Sequence, residues 1–147
     1  MKKISILTLP LFIATFIGKA QNLQWGKLLD GSGSDIAYAI AVDNFGNVYT
    51  CGYYTLTADF DPGVGTYDLT SAGSNDIFIS KLDAAGNFLW AKSMGGINED
   101  QGNSIALDDS GNVYISGYYK GTADFDPGVG ISNLTSIGYQ GVFISKL

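Results

Sequence analysis

The chain has 147 residues, enough for one domain or part of one, and its 20 Gly, 3 Pro and 13% aromatic residues suit short strands joined by tight turns better than disorder. A formal charge of −6 with no His and no Arg removes the forked donors that read phosphates and base edges, so nucleic acid is not an expected partner. The single cysteine, Cys51, excludes a disulfide framework within the chain and reads as a small residue buried in a strand.

At the N-terminus, Lys2 and Lys3 precede an almost wholly apolar run from Ile4 to Ile17, and Gly18-Lys19-Ala20 places small residues where signal peptidase inspects them. About 14 apolar residues, interrupted by Pro10, fall short of the roughly 20 that cross a bilayer. Residues 1–20 are therefore expected to be a signal peptide cleaved before Gln21, giving a secreted or cell-surface protein with no membrane span in its mature form. Cleavage removes Lys2, Lys3 and Lys19, leaving five Lys against 14 acids and a formal charge of −9.

The remainder repeats without a gap at an offset of 65 positions. Trp25 falls on Trp90, Asp35 on Asp100, Gly46-Asn47-Val48-Tyr49 on Gly111-Asn112-Val113-Tyr114, Thr57 to Gly65 on Thr122 to Gly130, and Phe78 to Leu82 on Phe143 to Leu147. Chance does not produce such a match, and repeat architecture follows. In chain order, a strand is expected at Leu23 to Leu29, then strands at Ile36 to Val42, Val48 to Tyr54, Asp76 to Leu82 and Phe88 to Ser93, where the hydrophobic period is two. Their counterparts are expected near Gln101 to Leu107, Val113 to Tyr119 and Gly141 to Leu147. Small or apolar residues on the alternate positions imply that both faces of each sheet are covered, as when sheets stack. Three D-x-x-G-N segments, starting at Asp43, Asp83 and Asp108, read as hairpin turns in which Asp bonds forward and Gly takes positive φ.

The fold class is therefore all-β: two tandem repeats of about 65 residues, each a four-stranded antiparallel meander, in the order d-abc-d-abc. The repeats run at about 25–89 and 90–147, the second lacking its last strand. The segments Trp90 to Gly96, Ile105 to Tyr118 and Asp76 to Gly86 resemble the bacterial β-propeller repeats known as SBBP repeats. That resemblance implies propeller blades in a secreted or surface protein and brings no catalytic residues with it.

The chemistry on offer is sparse. In the loop Thr57 to Gly65, repeated at Thr122 to Gly130, Asp59 and Asp61 (and Asp124 and Asp126) lie two apart and can aim two carboxylates to one side, a pattern able to gather calcium. The competing and preferred reading is a plain Pro-Gly turn, because the full calcium loop pattern is absent. Trp25 and Trp90 read as packing residues before sugar platforms, one of each pair Tyr53-Tyr54 and Tyr118-Tyr119 is expected outside, and Lys27, Lys92, Lys81 and Lys146 are expected to keep strand edges soluble. With no His, one Glu and no paired Cys, an enzyme is not expected.

The function expected is a noncatalytic secreted module that binds or scaffolds a surface glycan or protein. A sugar-binding propeller lectin assembling as an oligomeric ring is the first alternative and an Asp-based hydrolase the second. Two blades leave two open faces on the order of 300 Å² each, and leaving one uncovered forfeits roughly 8 kcal/mol. Further blades or copies of the chain are thus expected to close the propeller, the chain being a piece of a longer protein or a subunit of a ring.

Overall fold

The computed structural model describes residues 21–147, all-β throughout, and the expected leader at residues 1–20 lies outside the described residues. Ten strands follow in order: β1 (Asp30–Gly31), β2 (Ile36–Val42), β3 (Val48–Asp59), β4 (Asp68–Leu82), β5 (Phe88–Gly96), β6 (Gln101–Leu107), β7 (Val113–Tyr119), β8 (Thr122–Asp124), β9 (Asn133–Thr135) and β10 (Gly141–Lys146). Strands β2, β3, β4 and β5 form a meander in which each pairs antiparallel with the next. Strands β6, β7 and β10 form a second, three-stranded meander with β7 at its centre.

Turn chemistry sets the registers. In each D-x-x-G-N segment the Asp main chain closes the hairpin, as in Gly46 N–H to Asp43 O at 3.0 Å and Asp43 N–H to Asn47 O at 3.0 Å, with the same pair of bonds at Asp83 and Asp108. The glycines take φ of 82° at Gly46, 80° at Gly86 and 83° at Gly111, the left-handed conformation that other residues resist.

Two expected boundaries fail. Leu23 to Leu29 is not a strand; only Asp30–Gly31 pairs, against Asp59 and Ala58, because no described strand lies alongside the preceding residues to bond them. Strands β3 and β4 also run on past Tyr54 and before Asp76, pairing Thr57 with Thr70 and Asp59 with Asp68 beyond a bulge at Leu56. Polar Thr and Asp in this stretch hid its pairing, which brings Thr57 Oγ1 within 2.9 Å of Thr70 Oγ1.

The repeat is visible in space. Gly95 and Gly96 at the end of β5 pair with Asp124 and Ala123 of β8, as Asp30 and Gly31 pair with Asp59 and Ala58. The end of β5 thus reaches into the second blade, as Asp30–Gly31 reaches into the first. There Leu29 packs against Tyr54, Ala58, Phe60 and Phe78, and at the equivalent place Met94 joins Tyr119, Ala123, Phe125 and Phe143. The aromatic geometry repeats too: Tyr54 to Phe60 is edge-on at 5.5 Å and 88°, Tyr119 to Phe125 at 5.3 Å and 82°.

The main core lies between the blades. Tyr49, Cys51, Ile77 and Ile79 of the first blade meet Val113, Ile115, Ile105 and Leu107 of the second. On the opposite face of the first blade Tyr54, Phe60, Phe78 and Ala91 form a second buried cluster while Ile40 and Val42 stand exposed, so the expectation of sheets covered on both faces holds for part of the first blade and for the inner side of the second. Ile77 and Ile79 are fully buried, whereas their repeat counterparts Val142 and Ile144 are each 80% exposed.

Candidate functional site

The D-F-D-P-G loops are stapled by their own carboxylates. Asp59 Oδ1 accepts the amides of Asp61 at 2.9 Å and Tyr67 at 2.8 Å, tying both ends of the loop together. Asp61 Oδ1 accepts Gly63 N–H at 2.8 Å, which shapes the Pro-Gly turn. The second loop repeats all three bonds, with Asp124 accepting from Asp126 and Ser132 and Asp126 accepting from Gly128. The amide bonds from Tyr67 and Ser132 lead in holding Asp59 and Asp124 below the usual carboxylate range. One oxygen of each carboxylate is thereby committed to the backbone, and no group of three or more His, Cys, Asp or Glu able to hold a metal comes together among the described residues. At the loop tips Val64 and Val129 stand wholly exposed.

A second recurring constellation escaped the sequence reading. Asp43 Oδ2 accepts Asn47 Nδ2 at 2.8 Å and the Tyr49 hydroxyl at 3.3 Å, while the Lys81 ammonium sits 4.7 Å above the Tyr49 ring. Asp108, Asn112, Tyr114 and Lys146 repeat it, with the Tyr114 hydroxyl 3.1 Å from Asp108 and Lys146 5.2 Å above the ring. Lys81 therefore does not guard a strand edge: β4 is an inner strand of its blade, and its ammonium folds over an aromatic face. The signal was present in the spacing, a Tyr two residues after each of two D-x-x-G-N turns with a Lys recurring on the neighbouring strand.

Asp76 and Asp100 form the third feature, at the seam between blades. Asp76 is 3% exposed and Asp100 fully buried. Asp100 is well held, its Oδ2 accepting Gly96 N–H at 2.7 Å and its Oδ1 Lys120 N–H at 3.1 Å. Asp76 Oδ2 accepts Ala72 N–H at 3.0 Å, but Oδ1 has no partner. Burial pushes both carboxyls up to about 6, and for Asp76 the neighbouring Asp100 adds to the effect. Raised carboxyls of this kind suit general acids, but these two are sealed from solvent.

Of the remaining candidates, Trp90 packs against the inter-blade core, edge-on to Tyr49 at 6.0 Å. Trp25 does not occupy the equivalent setting; its Nε1 donates to Ala84 O at 3.1 Å. Tyr54 is fully buried with its hydroxyl 2.8 Å from Ser93 Oγ, while Tyr53 lies toward the surface against Tyr38. Cys51 is fully buried, and burial pushes its thiol up to about 11, so it stays protonated. Between the segment around Trp25 and Leu28 and the outer face of the first blade lies a groove of about 310 Å³, lined by Ile36, Ile40, Phe78 and Leu82.

A β-propeller repeat family, SBBP, matches residues 24–53 and 90–122, one stretch in each repeat. An uncharacterized WD repeat-containing protein of Acanthamoeba polyphaga mimivirus is 26% identical over 115 residues, 69% of this chain and 8% of its own length. Regulatory protein FlaEY of Caulobacter vibrioides is 26% identical over 115 residues, 76% of this chain and 12% of its own length. The chain thus spans only a small part of these curated relatives. No solved structure matches it significantly.

Proposed function

We propose that this chain, in which the SBBP β-propeller repeat family matches one stretch of each repeat, is a noncatalytic binding or scaffold module of the cell exterior, taking a surface glycan or protein as partner. The observation that carries the reading is the repeated loop whose tip valine, Val64 in one blade and Val129 in the other, is held fully in solvent by the same three carboxylate bonds. An apolar side chain displayed on a rigid turn, twice at one spacing, suits contact with another surface and has no part in the chain's own packing. The basic, apolar and small-residue pattern of residues 2–20 supports export, and mass spectrometry of the exported protein is expected to find Gln21 at the N-terminus.

Calcium enters this proposal at Asp59, Asp61, Asp124 and Asp126, where each carboxylate keeps one oxygen outside the loop's own bonds. A rise in melting temperature at millimolar calcium, absent in the Asp61→Asn and Asp126→Asn double variant, is the outcome expected if an ion binds. No shift in the parent protein removes calcium from the reading.

A glycan array and a panel of matrix proteins probed with the parent chain and with a Val64→Asp, Val129→Asp variant test the function. Retention of a ligand by the parent, loss in the variant and no turnover of the ligand are expected. Turnover that an Asp→Asn change abolishes would establish a hydrolase instead.

A further inference from the structure

The repeats share the residues that shape their turns and strands, which makes the places where they part informative. Three of those places meet in space. At the 65-residue offset Ser34, Thr55 and Ser74 of the first blade stand where the second blade has Glu99, Lys120 and Tyr139. In the first blade Thr55 Oγ1 accepts the Ser34 amide at 2.6 Å and donates to the Ser34 carbonyl at 3.3 Å, an ordinary contact of small polar groups. In the second the Lys120 ammonium donates to Glu99 Oε2 and, at 3.1 Å, to the Tyr139 hydroxyl, and it lies 4.6 Å above the Tyr139 ring. An acid, a base and an aromatic ring thus touch one another where the other blade carries three small residues. The fold does not require them, since β2 pairs with β3 in the first blade as β6 pairs with β7 in the second.

Glu99 precedes β6 and Lys120 follows β7, so the group sits at the end of the second blade opposite the Asp108 turn. More aromatic surface gathers there. The Tyr118 hydroxyl is raised by burial first and then by the charge of Glu99, with smaller contributions from Tyr38 and Tyr139 and an opposing one from Lys120, so all four lie within electrostatic reach of it. Tyr38 belongs to the first blade, where its ring is 5.9 Å from that of Tyr53, and the patch therefore spans the seam. Tyr38 is 48% exposed and Tyr139 81%. That exposure belongs to the positions themselves: Asn103, the counterpart of Tyr38, is exposed with a blade before it, and Ser74, the counterpart of Tyr139, is exposed with a blade after it.

The atoms left over define the ligand. Beyond the bonds above, Lys120 keeps one of its three N–H donors, Glu99 keeps Oε1 as an acceptor, and the Tyr139 hydroxyl keeps its own proton to donate. Donors and an acceptor side by side match adjacent hydroxyls of a sugar ring, each of which gives and takes a hydrogen bond, while the C–H face of the sugar covers an exposed aromatic ring. Charge removes two rivals. Lys120 already draws on the Tyr139 ring and repels a second cation from it, so a quaternary ammonium is disfavoured. Glu99 neutralises Lys120 in a chain of formal charge −6, so an anion finds no attraction. We propose that Glu99, Lys120 and Tyr139, with Tyr38 across the seam, form a binding site for a neutral saccharide. The proposal deepens the binding role given above and rests on it for the class of partner, but the valine tips take no part in the site.

Saturation-transfer NMR of the purified chain with the methyl glycosides of glucose, galactose, mannose and N-acetylglucosamine tests it. At least one glycoside is expected to bind with a millimolar Kd. The triple variant Glu99→Ser, Lys120→Thr, Tyr139→Ser installs the residues that the first blade carries, retains the circular dichroism of the parent and weakens that binding by about tenfold or more. Tyr139→Ser alone, at an exposed position, weakens it in the same direction and carries the test should the triple variant not fold. Val64→Asp, Val129→Asp leaves it within about twofold. No binding of any of the glycosides, binding that persists in the folded triple variant, or binding lost in the valine variant overturns the inference. A protein partner captured through Val64 and Val129 by a chain that binds no glycoside would keep the binding module and overturn this site.

Discussion

Leu56 adopts φ of 59°, and its repeat counterpart Gly121 adopts 64°. The bulge between Thr55 and Thr57 demands this left-handed backbone in both blades, and only the second supplies a residue without a side chain to resist it. Leu56 is exposed, so little packing is lost on its removal. Leu56→Gly is expected to leave stability unchanged or raise it by up to about 1 kcal/mol, whereas Gly121→Leu lowers it by about 1 kcal/mol or more, both read by urea denaturation. The seam carboxylates give a pH dependence with a definite sign. Asp76 and Asp100 are raised to about 6 in the fold, so their contribution is fully present below the ordinary carboxylate value near 4 and is lost as pH climbs through about 6. Asp108 runs the other way: side-chain and backbone bonds from Asn112 lower it to about 2, so its contribution is present above about 4 and is lost as pH falls toward 2. Stability is expected to be greatest near pH 4 to 5, and the melting temperature of Asp76→Asn to gain on the parent between pH 5 and pH 8. Unchanged differences across that range would remove the charge from the account. None of this was legible in the sequence, because the repeat aligns Asp100 with Asp35 but sets Gly141 against Asp76; the pair arises only where two unlike positions meet across the seam.

At the scale of elements, alternation and D-x-x-G-N turns located the three inner strands of each blade, since hairpin geometry is local and its residues carry their own signal. What failed was non-local. Whether residues 23–29 form a strand depends on a neighbour, not on their composition, and the run-on of β3 and β4 through Thr57 and Thr70 depends on cross-strand pairs that no single stretch reveals. The calcium pattern was legible as a loop, but the use of Asp59 to tie amides two and eight residues away follows from the fold of that loop. Close packing of β2 on β3 also has a residue-level requirement. A Cβ at Gly52 would run into the Ile36 carbonyl, and one at Gly117 into that of Gln101. Gly52→Ala and Gly117→Ala are each expected to destabilise by about 1–3 kcal/mol through displacement of the innermost strand, whereas Gly26→Ala, with nothing near, is expected to be silent.

At the scale of the molecule, the same side chain is core or surface according to which blade it belongs to. Ile79 and Ile144 are repeat counterparts on the c strands, the one fully buried between blades and the other 80% exposed. Ile79→Ala is expected to cost about 2–5 kcal/mol, and Ile144→Ala less than about 0.5 kcal/mol in the isolated chain at dilution. If the blades are joined by one core, they cannot melt separately. Residue-resolved hydrogen exchange measures this most directly, following the amides of Cys51 and Ile79 in the first blade and Ile115 in the second. A single opening free energy shared by all three, and lowered together by Ile79→Ala, is the result that two stacked propeller blades require; a second blade that exchanges at its own lower free energy, unmoved by that substitution, would contradict it.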